Sequence, residues 1–239
     1  MPIMRLDKFF SCQEILTRKE IKPLIKKGCI KINDKVATSS DDKVDTKSDA
    51  VFLYGKLVEY KPYIYIMLNK PQGVVSATDD KINKTVLDLV PDDLYRSDLF
   101  PAGRLDKDTV GFVLLTNNGD FAHKILSPKN HVEKKYIVRL DKPILGQDID
   151  KIEAGITLAD GTVCQSAKIV MLENGEEPLL EITICEGKYH QIKRMFGVVN
   201  CGVNYLKRTQ MGNIKLDENL PEGACKEMLH KEVEKILVK

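Results

Sequence analysis

No apolar run in these 239 residues approaches the length of a membrane span, and the first residues do not read as a signal peptide. No CxxC pair or Cys/His ligand spacing joins the six scattered cysteines, Cys12, Cys29, Cys164, Cys185, Cys201 and Cys225, so neither zinc nor a disulfide framework is expected. They read as small buried hydrophobes of a reducing cytosol. There is no glycine-rich dinucleotide fingerprint, no internal repeat and no low-complexity segment. The net charge is only +2, too small to announce a nucleic-acid partner by itself.

Charged residues make up 30% and hydrophobic ones 43%, an ordinary balance for a chain of one or two domains with a sizeable core. The distribution of charge says more than its sum. The first thirty-five residues carry Arg5, Lys8, Arg18, Lys19, Lys22, Lys26, Lys27, Lys31 and Lys35 against Asp7, Glu14, Glu20 and Asp34. A polyanion would feel that local excess.

The densest chemistry lies in PAGRLDKDTVGFVLLTNNG, residues 101–119. Pro101 and Gly103 open a turn, and Phe112 to Leu115 read as a buried strand. Asn117, Asn118 and Gly119 supply turn chemistry at the far end. Arg104, Asp106, Lys107, Asp108 and Thr109 are thereby fixed to the lip of a rigid strand, a good place to hold one reactive group still.

Toward the amino terminus, Leu6, Phe9 and Phe10 have helical spacing, and Thr17 to Glu20 has the form of a capping box. Ile21, Leu24 and Ile25 continue an apolar stripe that Gly28 can close, while Pro23 predicts a short or bent helix. Ile30 and Ile32 alternate with Lys31 and Asn33, and Val51 to Val58 reads as a strand interrupted at Gly55. Glu59 to Pro62 reads as a boundary.

Beyond it, Tyr63 to Leu68 reads as a core strand and Asn69 to Gly73 as a turn, with Lys70 either solvated or available to a polyanion. Tyr136 and Val138 alternate with Ile137 and Arg139, and Leu180, Ile182 and Ile184 with Glu181, Thr183 and Cys185. A helix follows with Ile192, Met195, Phe196 and Val199 on one face and Tyr189, His190, Lys193 and Arg194 emerging near its start. Val203 to Arg208 reads as a strand, with Lys207 and Arg208 adding positive charge near that helix. The tail from Pro221 ends in a helix.

GRLD followed by DT and a glycine closely resembles the catalytic motif of pseudouridine synthases, in a setting like the Rsu-type bacterial branch that isomerises uridines of ribosomal RNA. LNKPQGVVS, VEKKYIVRL and GKYHQIKRMF resemble further motifs of that branch, and RLDKFF, TRKE and GCIKIN resemble the S4 RNA-binding domain. Ala102 and Val110 depart from the commonest pattern at positions that carry no chemistry.

The resemblance implies an α+β protein: an S4-like RNA-binding domain over 1–58, a linker over 59–62, and a catalytic domain over 63–239 built on a mixed, mainly antiparallel sheet flanked by helices. It implies Asp106 as nucleophile, Tyr136 as the active-site aromatic and Lys193 as the cation paired with the aspartate. RNA contacts would come from Arg18, Lys19, Lys22, Lys26, Lys27, Arg104, His190 and Arg194. Arg104 could equally pair with a carboxylate, and His190 could be structural. No cofactor and no metal are expected. The expected partner is ribosomal RNA, 16S by the form of KYHQIKRMF, in a partly assembled small subunit, with a monomeric cytoplasmic enzyme acting on it. A 23S rRNA synthase and a non-catalytic RNA-binding protein are the alternatives.

Isomerising uridine breaks the N1–C1′ bond, turns the base and joins C5 to C1′. The base must first be flipped from its stack. Asp106 would attack, the Lys193 ammonium would favour its charged form, and the Tyr136 ring could stack on the extruded base for ~1–3 kcal/mol. A glycosidase would instead want two opposed carboxylates.

Overall fold

The computed structural model describes residues 3–238; Met1, Pro2 and Lys239, at the outer ends of the two expected domains, lie outside the described residues. The chain divides into two units, Met1–Tyr63 and Ile64–Lys239.

The first unit runs β1 (Ile3–Arg5), α1 (Leu6–Ser11), α2 (Arg18–Lys26), β2 (Ile30–Ile32), β3 (Lys35–Val36), β4 (Lys43–Asp45), β5 (Val51–Leu53) and β6 (Lys56–Val58). Strands β3-β2-β5-β6 form one antiparallel sheet, and β1 pairs with β4. The capping box forms as its residues predict: Thr17 Oγ1 accepts from the Glu20 N–H, and Glu20 Oε2 from the Thr17 N–H. The helix spans nine residues with Pro23 inside. It then closes at Gly28, in the left-handed region at φ 69°, where the Gly28 and Cys29 N–H groups cap the Ile25 and Leu24 carbonyls. Leu6, Phe9, Phe10, Ile21 and Ile25 pack on Ile30, Val44 and Val51. Tyr60 lies against Phe9, and the Lys61 N–H donates to Gln13 Oε1 at 2.7 Å, so the chain stays on this unit past β6.

The second unit runs β7 (Tyr65–Lys70), β8 (Phe100–Pro101), β9 (Val110–Thr116), α3 (Gly119–Leu126), β10 (Lys134–Leu140), α4 (Gly146–Ala154), β11 (Lys168–Glu173), β12 (Leu179–Ile184), α5 (Gln191–Val198), β13 (Val203–Met211), β14 (Ile214–Lys215), β15 (Cys225–Glu227) and α6 (His230–Val233). Its sheet has the order β11-β12-β10-β13-β9-β7-β15, with β14 on β13 and β8 on β9. Every pairing is antiparallel except β9 with β13, which meet in parallel through Lys207↔Val110 and Arg208↔Gly111. The fold is α+β with a mixed, mainly antiparallel sheet flanked by helices.

Both faces of this sheet are covered. Ile66, Leu68, Val113 and Leu115 face a core shared with Ile152 of α4 and Ile192, Met195 and Phe196 of α5. Tyr65, Met67, Phe112 and Leu114 face the other, with Phe121 and Ile125 of α3 and Val233 of α6. That is why β7 and β9 read as unbroken apolar runs rather than as alternations. Each buried Leu, Ile or Phe contributes roughly 1.5–3 kcal/mol, against tenths for local propensity, so tertiary burial decides these strands. Gly111 is required at the parallel junction: its φ is +98°, and a Cβ there would lie 2.3 Å from the Arg208 carbonyl oxygen.

Several local expectations are corrected. Asn117 to Gly119 do more than turn the chain: Asn118 Oδ1 accepts from the Phe121 N–H and caps α3. Asn69 and Lys70 belong to β7, not to the turn, because β9 pairs with that strand to its end through Asn69↔Phe112 and Lys70↔Gly111. Tyr189 and His190 precede α5, with His190 at its N-cap in the left-handed region. Cys12 is exposed, whereas Cys164 and Cys201 are buried as small hydrophobes. Among the described residues no helix is long and apolar enough to cross a membrane.

Candidate active site

The loop between β8 and β9 is gripped from beneath. Lys70, at the end of β7, is fully buried, and its Nζ donates to the carbonyls of Thr109 (2.7 Å), Asp106 (3.1 Å), Pro71 (3.2 Å) and Lys107 (3.3 Å). Ser76 Oγ donates to the Leu105 carbonyl and accepts from its N–H, both at 3.0 Å. The Gly73 N–H donates to the Lys107 carbonyl, and the Ala102 N–H to that of Leu114. The loop is therefore positioned by side chains and backbone from two other segments, as preorganised chemistry requires.

Burial pushes the Lys70 ammonium down from its ordinary 10.5 to about 8, although the Asp108 and Asp106 charges oppose the fall. The sequence expectation for Lys70, a solvated turn lysine or an RNA contact, is overturned. Ile64, Ile66 and Leu68 point to one core, and Lys70 continues the same two-residue period; that alternation was the signal that could have found it. Arg208, expected to add positive charge near the helix, is buried, with Nε donating to the Phe112 carbonyl at 2.7 Å. It follows Leu206 on the inward face of β13.

Asp106 is half-buried. Its Oδ2 lies 3.8 Å from Lys193 Nζ and its Oδ1 3.4 Å from His190 Nε2. Lys193 sits closer to a second carboxylate, with its Nζ 2.5 Å from Asp108 Oδ1. Burial raises the Asp108 carboxyl, but the hydrogen bond and charge of Lys193 outweigh it and hold the group below the usual carboxylate range. Lys193 thus bridges the two acids from α5 rather than serving Asp106 alone.

Asp106, Arg104, Leu105, Tyr136, His190 and Leu206 line a cleft that opens to solvent. Tyr136 reaches it from β10, where Lys134, Tyr136, Val138 and Leu140 alternate inward. Arg104 is exposed at the cleft, two residues before Asp106. Arg194 donates back to the Tyr189 carbonyl of the loop before α5 at 3.3 Å and pairs with Asp160 Oδ2, between α4 and β11, at 2.5 Å. Arg18, Lys19, Lys22, Lys26 and Lys27 are exposed on and just after α2 of the first unit. Among the described residues no group of three or more His, Cys, Asp and Glu side chains is placed to hold a metal.

This fold and cleft define a class once set beside known proteins. Residues 64–197 match the family model of the RNA pseudouridylate synthases, and residues 4–51 match that of the S4 domain. The chain belongs to the RNA pseudouridylate synthase family and is an isomerase. It is similar along its length to individual members: 44% identical to an uncharacterised RNA pseudouridine synthase of Bacillus subtilis, over 96% of this chain and 97% of that protein. It is 36% identical to the ribosomal small subunit pseudouridine synthase A of Vibrio vulnificus (98% and 99% covered) and also 36% identical to the ribosomal large subunit pseudouridine synthase B of Bacillus subtilis (97% and 95%). A crystal structure of a pseudouridylate synthase superposes with a TM-score of 0.67 at 36% identity, covering 98% of this chain and 99% of that one.

Proposed function

We propose that this protein converts one uridine of 16S ribosomal RNA to pseudouridine in a partly assembled small subunit, acting as a cytoplasmic monomer with Asp106 as nucleophile. The observation that carries the reading is the position of the Asp106 carboxylate in a cleft it shares with Tyr136, 3.8 Å from the Lys193 ammonium. Family membership and the small-subunit synthases among the relatives support the substrate.

On this reading the target uridine is flipped into the cleft and its base lies against Tyr136. Asp106 displaces N1 from C1′ or assists its departure, the base turns, and C5 joins C1′ with release of the carboxylate; C5 loses a proton and N1 gains one, so the net change is an isomerisation. Lys193 keeps negative charge at Asp106 favourable, and Asp108 holds Lys193 in place. Asp108 is occupied by that ion pair, so a second carboxylate poised to activate water, as in many glycosidases, is not what it supplies. Arg104 and His190 would contact the nucleotide or its phosphates. Arg18, Lys19, Lys22, Lys26 and Lys27 would meet phosphates elsewhere, giving affinity with little sequence choice. Arg194, tied to Asp160, serves the loop first.

A 23S target is the second reading, favoured by the equal identity to a large-subunit synthase. Mapping pseudouridines in ribosomal RNA from a strain lacking this gene separates the readings. One site lost from 16S RNA is expected. One lost from 23S RNA transfers the assignment, and no lost site leaves an RNA-binding protein without turnover.

A further inference from the structure

Tyr189 is a large aromatic side chain that the fold leaves bare at the edge of the cleft. It is 75% exposed, yet one face of its ring is covered: it stacks on His190, with centroids 3.9 Å apart and planes 17° from parallel. His190 in turn lines the cleft, 3.4 Å from Asp106. The open face of Tyr189 is therefore one aromatic layer removed from the wall that holds the reactive carboxylate.

The loop bearing this pair is held in an expensive shape. His190 sits at φ 47°, a left-handed region that residues other than glycine rarely adopt unless their surroundings impose it. They do. The Lys188 N–H donates to Gln191 Oε1, Gln191 Nε2 donates to the buried Glu186, and Lys188 Nζ pairs with the same carboxylate at 3.0 Å. Arg194, anchored by Asp160, donates to the Tyr189 carbonyl. A flat, prepaid ring beside a reactive cleft is what stacking recognition needs, because little entropy remains to be lost on binding.

We propose that the outer face of Tyr189 is a stacking platform for the nucleobase next to the target uridine in the RNA strand. This rests on the RNA substrate proposed above. When the target base leaves the stack, its neighbour loses a partner, and a rigid aromatic plane next to the cleft replaces it. The surroundings favour a polyanion over an apolar protein partner: the Arg104 guanidinium is exposed at the same cleft. Stacking tolerates any base, so this site supplies affinity and register rather than base identity.

Two measurements test it. With ribosomal RNA from a strain lacking the gene as substrate, Tyr189→Ala is expected to raise KM about fivefold to a hundredfold, with kcat within about twofold of the parent, while Tyr189→Phe stays near the parent. The chain contains no tryptophan, so Tyr189→Trp carries a unique fluorophore whose emission should be quenched as single-stranded oligouridylate binds. A Tyr189→Ala enzyme with unchanged KM, or tryptophan emission unmoved at saturating RNA, overturns the platform. Parent enzyme that makes no pseudouridine in that RNA overturns the function proposed above instead, and the quenching experiment still decides the platform.

Discussion

The Lys70 ammonium donates to the Thr109 carbonyl at 2.7 Å across 39 residues of sequence, and this bond ties the end of β7 to the loop that carries Asp106. An ammonium has three N–H groups; here four carbonyls converge on it, three of them from residues 106–109. Lys70→Met removes the donor these four carbonyls share; those of Lys107 and Asp106 keep the Gly73 and Thr109 N–H groups, while those of Thr109 and Pro71 lose the ammonium with no replacement. Stability should fall by about 1–3 kcal/mol, and turnover should fall further than stability explains, since the loop loses its anchor. Lys70→Arg should not restore turnover, because the larger planar guanidinium cannot fill the same socket. Urea denaturation beside steady-state kinetics checks both; turnover close to the parent in Lys70→Met would show that the loop holds its shape unaided.

Burial lowers both Lys70 and Lys134 from 10.5 to about 8. Below about 8 these groups are protonated in the folded and unfolded chain alike. Between about 8 and 10.5 the unfolded chain holds protons the native protein has released, so their contribution to stability rises with pH. Turnover should move the other way, because a neutral Lys70 amine has one N–H fewer for the loop carbonyls. Calorimetry from about pH 7 to about pH 10 should register proton uptake on unfolding, and Lys70→Met should remove about half of it.

Asp106→Asn keeps the shape of the side chain and removes its charge. It should abolish pseudouridine formation while RNA affinity stays within about severalfold, as a nucleophile rather than a binding group would require. Filter binding and base-resolved pseudouridine mapping read the two effects separately. Surviving turnover would rule out the proposed nucleophile.

Lys193→Met takes the cation from between two acids. The Asp108 carboxyl should rise toward the ordinary range, visible in an NMR titration, and turnover should drop by roughly a hundredfold. Lys193→Arg should recover part of the activity by restoring the charge. An unmoved Asp108 titration would mean that Lys193 does not set its charge.

Gly111→Ala places a methyl group against the Arg208 carbonyl at a backbone angle alanine avoids. The parallel contact between β9 and β13 should open, with a loss of about 2–4 kcal/mol or failure to accumulate folded protein. The midpoint of chemical denaturation is the measurement.

What the sequence by itself determined was local. The spacing of Leu6, Phe9 and Phe10, the Thr17 to Glu20 cap, the apolar runs around Leu68 and Leu114, and the alternation through Tyr136 and Ile182 fixed most helices and strands, because each pattern repeats within one element. The GRLD string singled out Asp106 as a candidate, and Asp106 and Tyr136 line one cleft. Only the tertiary structure decided that Lys70 and Arg208 are interior cations, that Arg194 pairs with Asp160, and that Lys193 lies nearer Asp108 than Asp106. Which carboxylate or carbonyl a long cationic side chain meets depends on the register of strands and helices far apart in the chain. Periodicity within one segment carries no information about that register.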